Sequence, residues 1–226
     1  MTEEALRVRQ FWFGPLTTQS RAGAKGARGN LTGSARAAEL ERRMELWFGG
    51  GATAALRARQ DADITEQFSE LVQRAGRGAL ASWADSPRRR LSLIILLDQF
   101  PRSMFRGQAH AFAYDEQALG LALSGLQSAA DGALDTLERM FFYMPLQHSE
   151  QLEVQDESVA AYRRLLSEAP EDLRGVCQEA LDAAEEHRDI IRRFGRFPSR
   201  NRAMGRASTP EERAYLEGGG ESFGGQ

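Results

Sequence analysis

The chain has 226 residues, 42% of them hydrophobic and 27% charged, which is enough to bury a full core in one domain or two closely fused ones. Its formal charge of −3 gives no global attraction to nucleic acid or to an anionic membrane, so any basic function has to be local. The only cysteine, Cys177, excludes an intrachain disulfide and a cysteine-based zinc knuckle, and no apolar run approaches the ~20 residues of a bilayer span.

Helical period dominates and two-residue alternation is absent, so the expected class is all-α, with about nine helices. The first helix, Thr2 to Phe13, has Thr2 as cap and Glu3 and Glu4 in its first turn; Leu6, Gln10 and Phe13 share a face. Gly14-Pro15 ends it, and a Gly-rich insert at about 14–33 has too little apolar content to pack, which predicts a flexible loop. Ser34 then caps a helix carrying Leu40, Met44 and Trp47, and the next helix places Ile64, Phe68, Leu71 and Ala75 on one stripe.

Beyond Pro87, LSLIILLDQF (Leu91 to Phe100) is apolar all round and belongs at the centre, as a helix rather than a buried strand because its neighbours are helical. A loop is expected over Pro101 to Gly107, then helices from Ala111 to Leu126 and from Leu134 to Met144, the latter halted by Pro145. Ser149 caps the following helix, with Leu152, Val159, Tyr162 and Leu166 inward, and Pro170 opens the next. That next helix repeats Leu173, Val176, Ala180, Ala184, His187, Ile191 and Phe194, so His187 points inward. Thr209-Pro210-Glu211-Glu212 announces the last helix through a capping box. The expected organisation is one helical domain over 1–217, then a frayed tail over 218–226. The acid-bearing start MTEEALRVRQ has no signal-peptide pattern, and a cytoplasmic location is expected.

The chemistry-bearing residues are scattered. Asp98 follows the deepest run and needs a partner, Arg102 being the nearest; it serves either as a structural ion pair or as a pocket-lining acid. His148 lies in the link YMPLQHSE, with Glu150 two residues on; general acid or base work by this pair is one reading, a capping network the other. His187 reads as a satisfied core imidazole or as a binding residue. Between His187 and Arg206 seven arginines surround Phe194, Phe197 and Pro198, and Arg193, Arg196, Arg200 and Asn201 offer planar donors suited to carboxylate or phosphate, unless internal ion pairs to Asp98 and Glu150 occupy them. No metal is implied, since the Glu-x-x-His pattern of di-iron bundles fails at Ala184 and at Pro145, and no cofactor is called for.

LLDQFPRSMFRG (Leu96 to Gly107), YMPLQHSE (Tyr143 to Glu150) and HRDIIRRFGRFPSRNRAMGRASTPEE (His187 to Glu212) together resemble the bacterial family called domain of unknown function 924. Trp12-Phe13-Gly14 and Trp47-Phe48-Gly49 fit the same pattern. The resemblance implies a helical fold similar to the tetratricopeptide-like superhelices, with no established activity. This chain departs from it in its longer Gly-rich insert and in reading Pro198-Ser199-Arg200-Asn201 where the family has Pro-His-Arg-Asn.

The leading expectation is a binding module whose concave face, lined by Asp98, Arg102, His148, His187, Arg193, Arg196 and Arg200, holds a small anion or a peptide terminus. The alternative is an enzyme, a hydrolase or phosphoryl-handling protein, with His148 as base. RNA binding by the arginine and phenylalanine turn is a third reading that the acidic remainder opposes; the oligomeric state is left open.

Overall fold

Helices account for every regular element among residues 2–17, 33–48 and 53–220, which are the residues described by the computed structural model. In chain order they are α1 (Glu3–Phe13), α2 (Gly33–Phe48), α3 (Ala54–Gly76), α4 (Pro87–Ile94), α5 (Phe100–Met104), α6 (Asp115–Gln127), α7 (Thr136–Gln147), α8 (Leu152–Glu168), α9 (Arg174–Phe194) and α10 (Pro210–Glu217). A π-helical stretch, Ile95–Gln99, joins α4 to α5 without a break. With that rod counted once, the described residues contain nine helices and no strand. No described helix is long and apolar enough to cross a membrane.

The apolar run lies where its composition sends it. Leu91, Ile94, Ile95, Leu96 and Phe100 are fully buried, and the rod they form packs against α1, α3, α6 and α7. Burying each such side chain stabilises the fold by roughly 1.5–3 kcal/mol, so this rod outweighs any single polar contact made at its surface. The C-terminal half builds outward in chain order: α7 packs on α8, and α8 on α9, around Tyr143, Tyr162, Leu165, Cys177 and Leu181. Burial pushes the Cys177 thiol up to about 11, so it stays protonated and acts as core.

Several local expectations shift, each for a physical reason. The buried face of α1 is Ala5, Val8 and Trp12 rather than that of Leu6 and Gln10, because Arg9 turns inward to the buried carboxylate of Glu138. Ser34 lies inside α2, which already begins at Gly33. Pro101 follows directly on the π-helical stretch, and the rod continues through it to Met104 in place of a loop. The expected helix from Ala111 splits into a 3-10 turn, Ala109–Phe112, and α6.

Pro145 does not halt α7, which runs to Gln147 and starts from a capping box between Asp135 and Glu138. Gln151, not Ser149, is the cap position of α8, and Ser149 accepts from the Gln151 N–H at 3.2 Å. Pro170 precedes a 3-10 turn, Glu171–Leu173, ahead of α9. At the expected insert, Gly14–Leu16 is a 3-10 turn with Leu16 buried; residues 18–32 lie outside the described residues, as do 221–226 of the expected tail. The caps at Thr2 and Thr209 are as the sequence predicts.

Candidate functional site

The π-helical stretch places Asp98 at the meeting point of three elements. Leu96 and Leu97 bury themselves in the core, and the carboxylate next in line is drawn in with them until it is fully buried. Wide turns of this kind recur at functional sites, because they redirect side chains without breaking the helix. Asp98 Oδ1 lies 2.7 Å from Nδ1 of His148, at the C-terminal cap of α7, and 3.2 Å from Arg102 Nη1, one turn along the rod. Gln99 donates to Oδ2 at 2.5 Å, and Arg102 Nη1 also reaches the Asp98 carbonyl at 2.6 Å. Arg102 then forks onto Asp115, at the start of α6, at 2.9 and 3.0 Å.

The link that carries His148 is held from below. Gln155, buried on α8, donates to the carbonyls of Gln147 and Ser149 at 2.8 and 2.6 Å, and the Tyr162 hydroxyl donates to the Met140 carbonyl at 2.9 Å. His187 of α9 stands nearby, its ring centroid 6.4 Å from that of His148, with Nδ1 2.7 Å from the Ala183 carbonyl. Arg200 completes the group from behind. Its guanidinium is sandwiched between Phe112 and Phe197, 4.7 and 4.5 Å from their ring centres, and its Nη1 lies 3.4 Å from Asp115.

The electrostatics follow from this arrangement. Burial works to raise the Asp98 carboxyl, but Arg102 and His148 outweigh it and hold the group below the usual carboxylate range. Burial, with Arg102 adding to it, lowers His148 below the ordinary imidazole value despite Asp98. Burial takes His187 down to about 3. Both rings are therefore neutral near pH 7. A carboxylate at Nδ1 selects the tautomer with its proton there, which leaves the lone pair of His148 on Nε2. Burial and Arg102 bring Arg200 to about 10, so it remains charged.

A cavity of about 950 Å³ opens beside this group. Gln99, Arg102, Gln147, His148 and His187 line its inner end, where Gln147 and His187 are each only 4% exposed. Trp12, Met44, Trp47, Met140 and Met144 form its apolar walls. Glu41, Glu179, Arg57 and Phe48 are exposed at its mouth. Among the described residues no group of three or more His, Cys, Asp or Glu is arranged to hold a metal ion.

The other expected site residues lie apart from this cavity, in a second polar cluster beneath the C-terminal turn. Glu150 does not face His148: it accepts from Arg206 at 2.7 and 3.0 Å and from the Phe197 N–H at 2.8 Å, which uses its lone pairs to fasten that turn. Arg196 grips Glu212 at 2.6 and 2.8 Å, and Asn201 donates to the same carboxylate at 3.2 Å. Arg193 pairs with Glu211 at 2.9 Å on the surface. The expected single concave face thus divides: Asp98, Arg102, His148, His187 and Arg200 converge, whereas Arg193 and Arg196 lie at the turn, together with Glu150 and Asn201. Ion pairs occupy many of the arginine donors that an RNA backbone would need, with Glu211, Glu212, Glu150 and Asp115 as partners rather than Asp98. Asp115 and Gln155 join the site without any sign in the sequence, since single polar residues on helices have no spacing signature, and Gln99 and Gln147 join it from inside the motifs LLDQFPRSMFRG and YMPLQHSE, where neither stands out.

The model of a family described as "Bacterial protein of unknown function (DUF924)" matches residues 8–220. The chain belongs to the DUF924 family. This DUF924 chain is similar to the solved "Structure of Protein of Unknown Function ATU0120 from Agrobacterium tumefaciens", at 35% identity and a TM-score of 0.65 over 82% of this chain and 98% of that one. No curated protein matches it. The matched span takes in both the cavity group and the C-terminal turn.

Proposed function

We propose that this protein binds a small molecule with an acidic group, or a peptide carboxylate, at the inner end of the cavity, with His148 as its proton partner. The carrying observation is the buried Asp98 carboxylate 2.7 Å from His148 Nδ1 at the cavity wall. An acid entering there meets Arg102, the amides of Gln99 and Gln147, and an imidazole that is neutral when the cavity is empty. An anion beside Nε2 rewards protonation, because Asp98 steadies one nitrogen of the imidazolium and the guest the other. Proton uptake and binding are then linked. The frame of this reading is a tetratricopeptide-like stack, which the consecutive packing of α7, α8 and α9 supports.

The sign of the linkage sets the test. The guest raises the pKa of His148, so affinity is highest below the pKa of the free ring, falls about tenfold per unit between that value and the pKa of the complex, and levels off above it. Calorimetry with benzoate and with inorganic phosphate, between about pH 5.5 and 8 in buffers of different ionisation heat, reads affinity and proton uptake together. Affinity without pH dependence and without proton uptake would sink the reading.

A second reading is favoured by the same pair. Neutral His148 with its lone pair on Nε2 and a carboxylate behind it is the arrangement of a general base, and such groups supply about 10²–10⁴ in rate. If hydrolysis of a carboxylic or phosphoric ester is found, His148→Ala should remove that factor while Glu150→Gln leaves turnover near the wild-type level. Equal turnover in wild type and His148→Ala would exclude the role.

A further inference from the structure

We infer that the guest is a monocarboxylic acid with a long apolar body, bound with its carboxylate inward at His148 and its body along the wall of Trp12, Met44, Trp47, Met140 and Met144. The inference rests on the proposed acid site and names the class of molecule that enters it.

Three observations carry it. The first is the division of polarity along the cavity. Its inner end is polar, with Arg102 beside the amides of Gln99 and Gln147 and the two imidazoles. Its walls are apolar and soft. Met140 and Met144 come from α7, Met44 from α2, and Val176 and Ala180 from α9. Thioethers on unbranched chains adapt to a flexible apolar guest better than branched side chains do.

The second is the aromatic wall. The Trp12 and Trp47 rings stack at 6.3 Å with 27° between planes, and Phe48, next along, remains 51% exposed at the mouth. An aromatic left half in water beside a cavity is surface for a guest to cover. The third is the charge of the mouth. Three carboxylates, Glu41, Glu45 and Glu179, line it together with Arg57, and Arg106 in the same lining is forked onto Asp61 at 3.0 and 3.1 Å, so negative charge is in excess. Carboxylates at the mouth repel an acidic head group, so the head belongs at the histidine end and the tail toward Phe48. A phosphosugar or nucleotide, polar throughout, would leave the apolar wall uncovered.

The experiment is a length series of butanoate, hexanoate, octanoate and decanoate, each with its matching alcohol and amine, followed by tryptophan fluorescence and calorimetry on the full chain. Each added methylene should tighten carboxylate binding by up to about fourfold until the cavity is filled, after which affinity levels off. The matching alcohols should bind more weakly at every length, and the amines more weakly still. Phe48→Ala, at a half-exposed position, should flatten the upper part of the series, and Trp47→Ala should flatten all of it.

Carboxylates whose affinity ignores chain length would overturn the inference and leave the acid site standing. Alcohols that equal the acids at every length would overturn the acid site, and with it the carboxylate class. Amines that outbind the acids would reverse the orientation and overturn both. A series in which no member binds likewise rejects the inferred guest.

Discussion

Asp98 and Glu150 show how far the role of a carboxylate depends on what surrounds it. Both pair with a guanidinium, yet Asp98 is fully buried with an imidazole and an amide as further partners, whereas Glu150 is partly exposed and ties a backbone N–H to Arg206. Removing one partner of a buried pair leaves the other charge uncompensated, at a typical cost of roughly 3–5 kcal/mol. Arg102 retains Asp115, so Asp98→Ala should fall near the lower end, at about 3 kcal/mol. Glu150→Gln keeps the shape of the turn and should cost only about 1–2 kcal/mol. Urea unfolding with unchanged slope checks both values, and equal losses would contradict the difference in burial. The sequence showed that Asp98 needed a partner and named Arg102 correctly. It could not show His148, 50 residues away, because that pairing arises only when α7 meets the rod.

At the scale of elements, close approach decides more than propensity does. Gly125 sits inside α6 where a Cβ would run into the buried ring of Phe142 and the Arg90 side chain. Alanine is favoured over glycine in a helix interior by about 1 kcal/mol, but overpacking a rigid core costs about 1–3 kcal/mol. Gly125→Ala should therefore lower the melting temperature, and a rise would show that α6 can step back from α7. Helix identity and the caps at Thr2 and Thr209 were legible because they are local. The apolar run was legible as the central helix because it has no polar face. Its π-helical stretch was not, since one residue more in a turn leaves the composition unchanged, and neither was the continuation past Pro145, which depends on packing on both sides. The arginine turn was legible as a cluster of donors, but whether a donor meets a guest or an internal acid depends on where α10 and the Glu150 link lie.

For the whole molecule, the buried imidazoles set the response to acid. His148 and His187 both have folded-state values below the unfolded value of about 6.5, so the unfolded chain binds more protons as pH falls below that point. Stability should fall by up to about 1.4 kcal/mol per pH unit for each ring, from about pH 6.5 down to its folded value, which for His187 is about 3. Asp98, held below the usual carboxylate range, adds a loss that starts near pH 4 and grows until its own folded value is passed. Asp135, raised to about 7 by burial and Glu138, works in the opposite sense over the same range, so the test compares unfolding free energies of wild type and His187→Gln at pH 7, 6 and 5; a difference that does not change with pH would mean that the ring is hydrated in the folded state.

The cavity also has an asymmetry in how its walls are fixed. On one side are α7 and the central rod, anchored by the deepest residues in the protein. On the other is α2, none of whose residues is buried, held to the body by Arg43 and Trp47 on the carbonyls of Phe11 and Trp12 and by Arg36 on the Leu16 carbonyl and Asp172. Parts of a protein with few buried contacts open at far lower free energy than the global transition. For the guest proposed above, the lifetime of the complex should then follow the opening of α2, while the His148 group keeps its place.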